Sequence, residues 1–217
     1  MTVEHFNVTR RGFIRSLGLA LPALAAAPSL SFVRASPVLP PATDLSFLAP
    51  HVTLKRRHEW TRISPNPERL REANGSSYDR ITVHHAGMDI IRATSERAVV
   101  GHLDGVLGAH LGRRFGDVGY HFIIDYAGRV WEGRSLAFWG AHVSGQNDHN
   151  IGIVLLGNFE RQRPSREQLA TMDRLVPLLQ NRYRMRKREV YGHIDLGQTL
   201  CPGKYLYPAV RRLKQRG

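Results

Sequence analysis

A chain of 217 residues with 42% hydrophobic content is long enough to bury one sizeable core. Its one cysteine excludes an internal disulfide. The formal net charge of +13 admits a nucleic acid, an anionic lipid or an anionic polymer as partner, but no RNA- or DNA-binding motif accompanies the charge.

At the N-terminus, Thr9-Arg10-Arg11-Gly12-Phe13-Ile14-Arg15 precedes a mostly apolar run from Leu17 to Phe32, interrupted by Pro22 and Pro28. Val33-Arg34-Ala35 then offers a small-residue cleavage site before Ser36. The paired arginines with Phe13 two places on resemble a twin-arginine export signal. The run is too short and proline-broken for a membrane anchor. Residues 1–35 therefore read as a signal peptide, and the mature protein is expected to be periplasmic or secreted, with no stable membrane span. That location removes nucleic acid as a partner and favours the cell wall with its free peptide carboxylates. Residues 36–58, with Pro37, Pro40, Pro41 and Pro50, read as a linker or lead-in arm. Residues 59–217 read as one domain, expected to be a monomer.

Within that domain, Arg80–His84 is short and β-branched, a strand that delivers His84 at its C-terminal end. From Thr94 to Gly112, Val99, Leu103, Val106 and Leu107 fall at helical spacing, weakened by Gly101, Gly105 and Gly108. Tyr120–Asp125 and Gly128–Glu132 flank Tyr126-Ala127 and predict a β-hairpin. Ile151–Leu156 is almost wholly apolar, the mark of a strand covered on both faces. Ser165 and Gln168 form a capping box, behind which Leu169, Met172, Val176, Leu179 and Tyr183 line one helical face. Pro177 within that pattern predicts a kink. Arg182, Arg184, Arg186, Lys187 and Arg188 read as a solvated helix end, where cations favour the dipole. Val190–Gly192 is a short strand leading to His193, and Lys204–Gln215 is expected to be the last helix. The interleaved elements predict an α/β domain around one mixed sheet.

Cys201 is open to three readings: nucleophile, metal ligand, or small buried hydrophobe. His193 lies eight positions upstream, and His84-His85 ends the first strand of the domain. Two histidines and a cysteine suit zinc, and three protein ligands leave a fourth tetrahedral position open, as in catalytic rather than structural sites. Pro202-Gly203 forces a turn directly after the thiol. A papain-like Cys/His nucleophile lacks its local signature here.

Four stretches occur in order: I-T-V-H-H (81–85), D-V-G-Y-H-F-I-I-D-Y-A-G-R-V-W-E-G-R (117–134), G-A-H-V-S-G-Q-N-D-H-N-I-G-I-V-L-L-G-N-F (140–159) and G-H-I-D-L-G-Q-T-L-C-P-G (192–203). Together they resemble the zinc N-acetylmuramoyl-L-alanine amidases of the peptidoglycan recognition protein and phage-lysozyme-type family, over about Glu59 to Pro208. The resemblance implies a central mixed β-sheet flanked by helices, with a zinc-containing cleft. It implies cleavage of the amide between N-acetylmuramic acid and the L-alanine of peptidoglycan stem peptides, in polymer or in soluble muropeptides. By motif position, His84, His193 and Cys201 are the expected ligands of Zn2+. Tyr120 is the expected residue that orients the attacking water, and Thr199 the expected donor to the developing oxyanion. His142 and Asn147 fall on a loop that lines the muropeptide groove in relatives.

The remaining notable residues read as structural. On a strand, His85 and His121 point away from their functional neighbours. His102, His110 and His149 carry no motif support. Trp131 and Trp139 are open to core and sugar-binding roles alike. Glu132 is expected to pair with Arg134 or another basic side chain. A related branch of zinc amidases carries a catalytic glutamate where this chain has Val154, so the tyrosine branch is expected. The alternative function is a peptidoglycan-binding module without catalysis, a reading that the cysteine ligand opposes, since relatives without activity typically lack it.

Overall fold

The structure is a computed structural model and describes residues 43–73, 75, 77–87 and 89–215. The leader expected at 1–35 lies outside the described residues.

Six strands form one sheet: β1 (Leu54–Lys55), β2 (Arg80–His85), β3 (Phe122–Ile124), β4 (Val130–Glu132), β5 (Asn150–Leu155) and β6 (Val190–Gly192), in the order β1-β4-β3-β5-β2-β6. Every neighbouring pair is parallel except β3 with β4, so the sheet is mixed. Three helices cover it: α1 (Glu96–Gly112), α2 (Arg166–Tyr183) and α3 (Tyr207–Gln215).

The two faces follow from strand alternation. Ile81 and Val83 of β2, with Ile151, Ile153 and Leu155 of β5, join Met172, Leu175, Val176 and Leu179 of α2 and Val210 and Leu213 of α3 in the larger core. The alternate residues Ile123, Trp131 and Val154 meet Val99, Leu103 and Leu107 of α1 in a second core. β5 is buried at every position, as its unbroken apolar run predicts. Trp131 and Trp139 are both buried, which settles them as packing residues.

Local chemistry explains most boundaries. Ser95 caps α1 by accepting from the Ala98 N–H. Gly101, Gly105 and Gly108 face open space, so they weaken the helix without leaving a gap in its core. The hairpin turns through Asp125–Arg129, where Gly128 takes φ +81° and the Asp125 carboxylate accepts from the Arg129 N–H. Ser165 and Gln168 close the capping box of α2 reciprocally. α2 runs on through Pro177 to Tyr183. α3 begins at Tyr207 rather than Lys204, because turns at Gly203 occupy the approach, and this start places Pro208 in the first helical turn, where its missing N–H costs nothing.

The second half of the expected arm is built into the domain. Leu45 and Leu48 are buried in the larger core, and β1 pairs in parallel with β4. This segment also supplies the partner of Glu132, which is Arg56 at 2.9 Å and not Arg134.

Candidate metal centre

β2 and β6 are adjacent and parallel, with Val83 in register with Gly192. One step further along each strand places His84 beside His193, their ring centroids 4.7 Å apart. The chain then makes a 3-10 turn over His193–Asp195, in which the Asp195 carboxylate accepts from the Gly192 N–H and from the Tyr207 hydroxyl. The Ile194 N–H donates to the Cys201 carbonyl at 2.7 Å, and this closes the loop and returns the thiol to the strand ends. One donor atom from each of His84, His193 and Cys201 lies within 4.8 Å of the others.

The orientation of His84 follows from its partners. His142 is buried, with Nε2 3.1 Å from the Asn150 carbonyl and Nδ1 3.0 Å from His84 Nε2. A carbonyl only accepts, so His142 carries its proton on Nε2 and presents a lone pair on Nδ1. His84 must then carry its proton on Nε2, which leaves the lone pair of Nδ1 facing Cys201 Sγ at 3.6 Å. Burial lowers the His84 pKa well below the ordinary range, with the neighbouring histidines adding to the effect, so the ring is neutral. Burial also pushes the Cys201 thiol up to about 12, opposed only by the His85 N–H that donates to its sulfur. A neutral imidazole with a free lone pair, a second imidazole and a thiol that needs a cation to ionise fit zinc.

Tyr120 enters this cluster from the segment before β3, its ring 5.1 Å from His84 and 5.3 Å from His110. Its hydroxyl makes no hydrogen bond among the described residues, and burial, followed by the nearby Cys201, raises its pKa so that it stays protonated. Thr199 accepts from the Cys201 N–H at 3.1 Å, which leaves its own proton available for donation.

The structure turns one expected groove residue, His142, inward and leaves the other, Asn147, partly exposed. His142 supports His84 instead of lining a groove, in a space that exists because a Cβ on Gly140 or Gly152 would strike its ring at 2.3 or 2.5 Å. The Asn147 side-chain oxygen accepts from the His142 and Val143 N–H groups and so fixes that loop. His85 accepts from the Phe159 N–H and His121 from the Gly152 N–H, the structural roles their alternation predicts. Val154 is fully buried against α1, so no carboxylate approaches the site from that position.

Two further residues brace the centre in ways the motifs did not suggest. His110 Nδ1 accepts from the Gly119 N–H beside Tyr120. The missed signal was spacing, since His110 continues the apolar face of Leu103 and Leu107. The buried Arg134 donates to the carbonyls of Phe115, Asp117, Val118 and Trp139, tying down the segment that leads to Tyr120.

Burial lowers the pKa of His110 to about 4 and that of His121 to about 3. The unfolded chain takes up a proton on each below about pH 6.5, whereas the folded chain does not. Their contribution to stability is therefore complete above that pH and falls as pH drops from 6.5 towards 4. Urea midpoints measured at pH 7, 6 and 5 should decline progressively, and less steeply in His110→Gln. A midpoint constant across that window would contradict the assignment.

A family model described as N-acetylmuramoyl-L-alanine amidase matches residues 74–204. Peptidoglycan-recognition protein SD of Drosophila simulans is 35% identical over 101 residues, which are 46% of this chain and 54% of that protein. An N-acetylmuramoyl-L-alanine amidase of Homo sapiens is 32% identical over 99 residues, 45% of this chain and 17% of that protein. The chain thus spans about half the length, or less, of these two relatives. Among solved structures, Drosophila peptidoglycan recognition protein SD superposes with a TM-score of 0.67 at 26% identity, covering 74% of this chain and 94% of that one. The amidase LysC of Clostridium intestinale shares the fold, with a TM-score of 0.61 at 24% identity over 75% of this chain and 95% of that one.

Proposed function

The chain belongs to the N-acetylmuramoyl-L-alanine amidase family, and from that premise we propose that it is a zinc-dependent hydrolase of the amide between N-acetylmuramic acid and L-alanine in peptidoglycan. The observation that carries this reading is the convergence of His84, His193 and Cys201 at the ends of β2 and β6, with an unengaged tyrosine hydroxyl beside them. A module that only binds peptidoglycan has no need of a buried thiol facing an imidazole lone pair.

His84 through Nδ1, His193 and Cys201 would hold the ion. Zinc bound there supplies a water of lowered pKa and polarisation of the substrate carbonyl. The chain's own residues supply the rest. Tyr120 orients the attacking water and takes part in the associated proton transfer, which its position beside His84 supports. Thr199 donates to the oxygen on which negative charge develops, and the loss of one such donor typically costs about 2.7–4 kcal/mol of transition-state stabilisation. His142 keeps His84 in the tautomer that exposes Nδ1.

His142→Ala should weaken zinc binding about 10- to 100-fold, the usual effect of removing a partner that orients a ligand. Competition with a chromophoric chelator measures this without reference to turnover. An unchanged affinity would leave His142 as packing alone.

Export by the leader at 1–35 belongs to the same proposal. No helix among the described residues is long and apolar enough to cross a membrane. The deciding experiment is mass spectrometry of products after the protein meets purified peptidoglycan, with chelator and with added zinc. Free stem peptides beginning with L-alanine, lost on chelation and restored by zinc, are expected. Intact muropeptides under all conditions, with the protein retained on the wall, would make it a binding module.

A further inference from the structure

β2 and β6 both run from one end of the sheet to the metal centre, and the end where they start is strongly basic. Arg80 opens β2 and Glu189 precedes β6, and between them lies a concavity of about 420 Å³ lined also by Arg184 and Arg186. Arg182, Arg184, Arg186 and Arg188 are exposed. Asp79 and Glu189 are the acidic residues of the concavity, and Glu189 is shared between Arg186 at 2.7 Å and Arg188 at 3.6 Å.

A solvated helix end, as the sequence predicts, accounts for the exposure of these arginines, and Arg184 adds a feature of its own. Arg184 stands at the C-cap of α2 with φ +54°, a position that favours glycine or asparagine. Its side chain makes no ion pair or hydrogen bond among the described residues. An unpaired, exposed guanidinium here can meet a partner outside the chain. Arginine predominates over lysine in the cluster, and its planar fork suits carboxylate or phosphate groups. The exposed large apolar residues, Ile63, Ile90, Ile194, Leu200 and Tyr205, all lie elsewhere, so nothing here would insert into a lipid surface.

We propose that this basic end is an anchoring surface for polymeric peptidoglycan, with Arg184, Arg186 and Arg188 engaging free carboxylates of stem peptides that are not being cut, while Arg80 is held by the Asp148 carbonyl and by Asp79. The proposal rests on the amidase reading and extends it to a preference for polymer over soluble fragments. Arg80 and His84 are four strand residues apart, roughly 13 Å. A wall strand that presents successive stem peptides can reach both ends at once, and a single muropeptide at the metal gains nothing from the second contact.

The test compares the metal-loaded full chain with Arg184→Gly/Arg186→Gln/Arg188→Gln by co-sedimentation with intact sacculi on ice, over a range of salt. The variant should bind sacculi about tenfold more weakly, the factor for about one lost charge-assisted hydrogen bond. It should cleave a small soluble muropeptide at the parent rate. Sacculi whose carboxylates have been converted to neutral amides should release the parent protein to the same degree. Arg184→Gly alone should melt at or above the parent temperature while binding sacculi less well, which a purely structural arginine would not do. Equal sedimentation of parent and triple variant would overturn the proposal. So would binding that survives carboxylate amidation, or a patch-dependent preference for phosphatidylglycerol vesicles over sacculi. Failure of both proteins to cleave the soluble muropeptide would instead refute the amidase reading and leave the sedimentation difference to judge the anchor.

Discussion

Cys201→Ala is expected to lower zinc affinity by more than about 10²-fold and to bring release of stem peptides down to background. Removing a partner that merely orients a ligand costs about 10- to 100-fold, so removing a ligand atom should cost more. The thiol is nearly buried, and its chemistry in the metal-free chain is that of a neutral S–H, held high by desolvation. Alanine therefore removes little packing and no charge from the apo protein. The contacts it deletes are the His85 N–H to sulfur and the approach of His84 Nδ1. Melting separates the two ways in which the variant could lose activity. Zinc at about 100 times its dissociation constant stabilises a folded protein by about 2.7 kcal/mol. The parent should gain that increment and Cys201→Ala should not, while their chelated forms melt close together. Equal gains with zinc would remove Cys201 from the ligand set.

What could be read from the sequence divides along a physical line. The grouping of His84, His193 and Cys201 was legible because each sits at the end of a short segment whose identity is local: Ile81–Val83 is a strand by β-branching, Val190–Gly192 by pattern, and Pro202-Gly203 by turn chemistry. The second core was legible from the spacing of Val99, Leu103 and Leu107. His142 was not. It is 58 residues from His84 in sequence, and only the parallel pairing of β2 with β5 brings Asn150, and with it the His142 ring, alongside β2. Motif position put it in the groove, whereas the space left by Gly140 and Gly152 admits it to the interior. Asn147 stays partly exposed, its side-chain oxygen spent on two backbone N–H groups of its own loop. The bracing by Arg134 depends on carbonyls from segments that no local pattern brings together. Residues 36–58 looked like an arm because of their prolines, yet Leu45 and Leu48 sit in the larger core.

Those supports share a consequence for the metal centre. α1 covers the sheet over β3, β4 and β5, while the strand ends of β2 and β6 on the same face carry polar side chains instead of core. The part of the face that α1 leaves uncovered is therefore where His193 is partly exposed, with His84 buried beside it. His110, His142 and Arg134 fix its walls through buried hydrogen bonds to backbone groups. Such a site is held in position before substrate arrives, the condition under which a hydroxyl placed beside the reacting atoms has its full effect.

Tyr120→Phe isolates that effect. The ring's contacts with His84 and His110 survive the substitution, and the hydroxyl has no hydrogen-bond partner among the described residues to leave unsatisfied. Stability and zinc affinity should therefore stay near the parent values. If Tyr120 orients the attacking water and assists its proton transfer, kcat should fall by about 10²-fold or more, the range for a positioned proton-transfer group. KM for a soluble muropeptide should change much less, because the interaction belongs to the transition state rather than to binding. The three readouts distinguish the possible roles. A fall in zinc affinity would make Tyr120 a support of His84, and a rise in KM alone would make it a substrate contact. An unchanged kcat with zinc bound would take the hydroxyl out of the mechanism. A protein that only binds peptidoglycan would show no turnover to lose, so the size of the kcat change also measures how far this chain is an enzyme rather than a receptor.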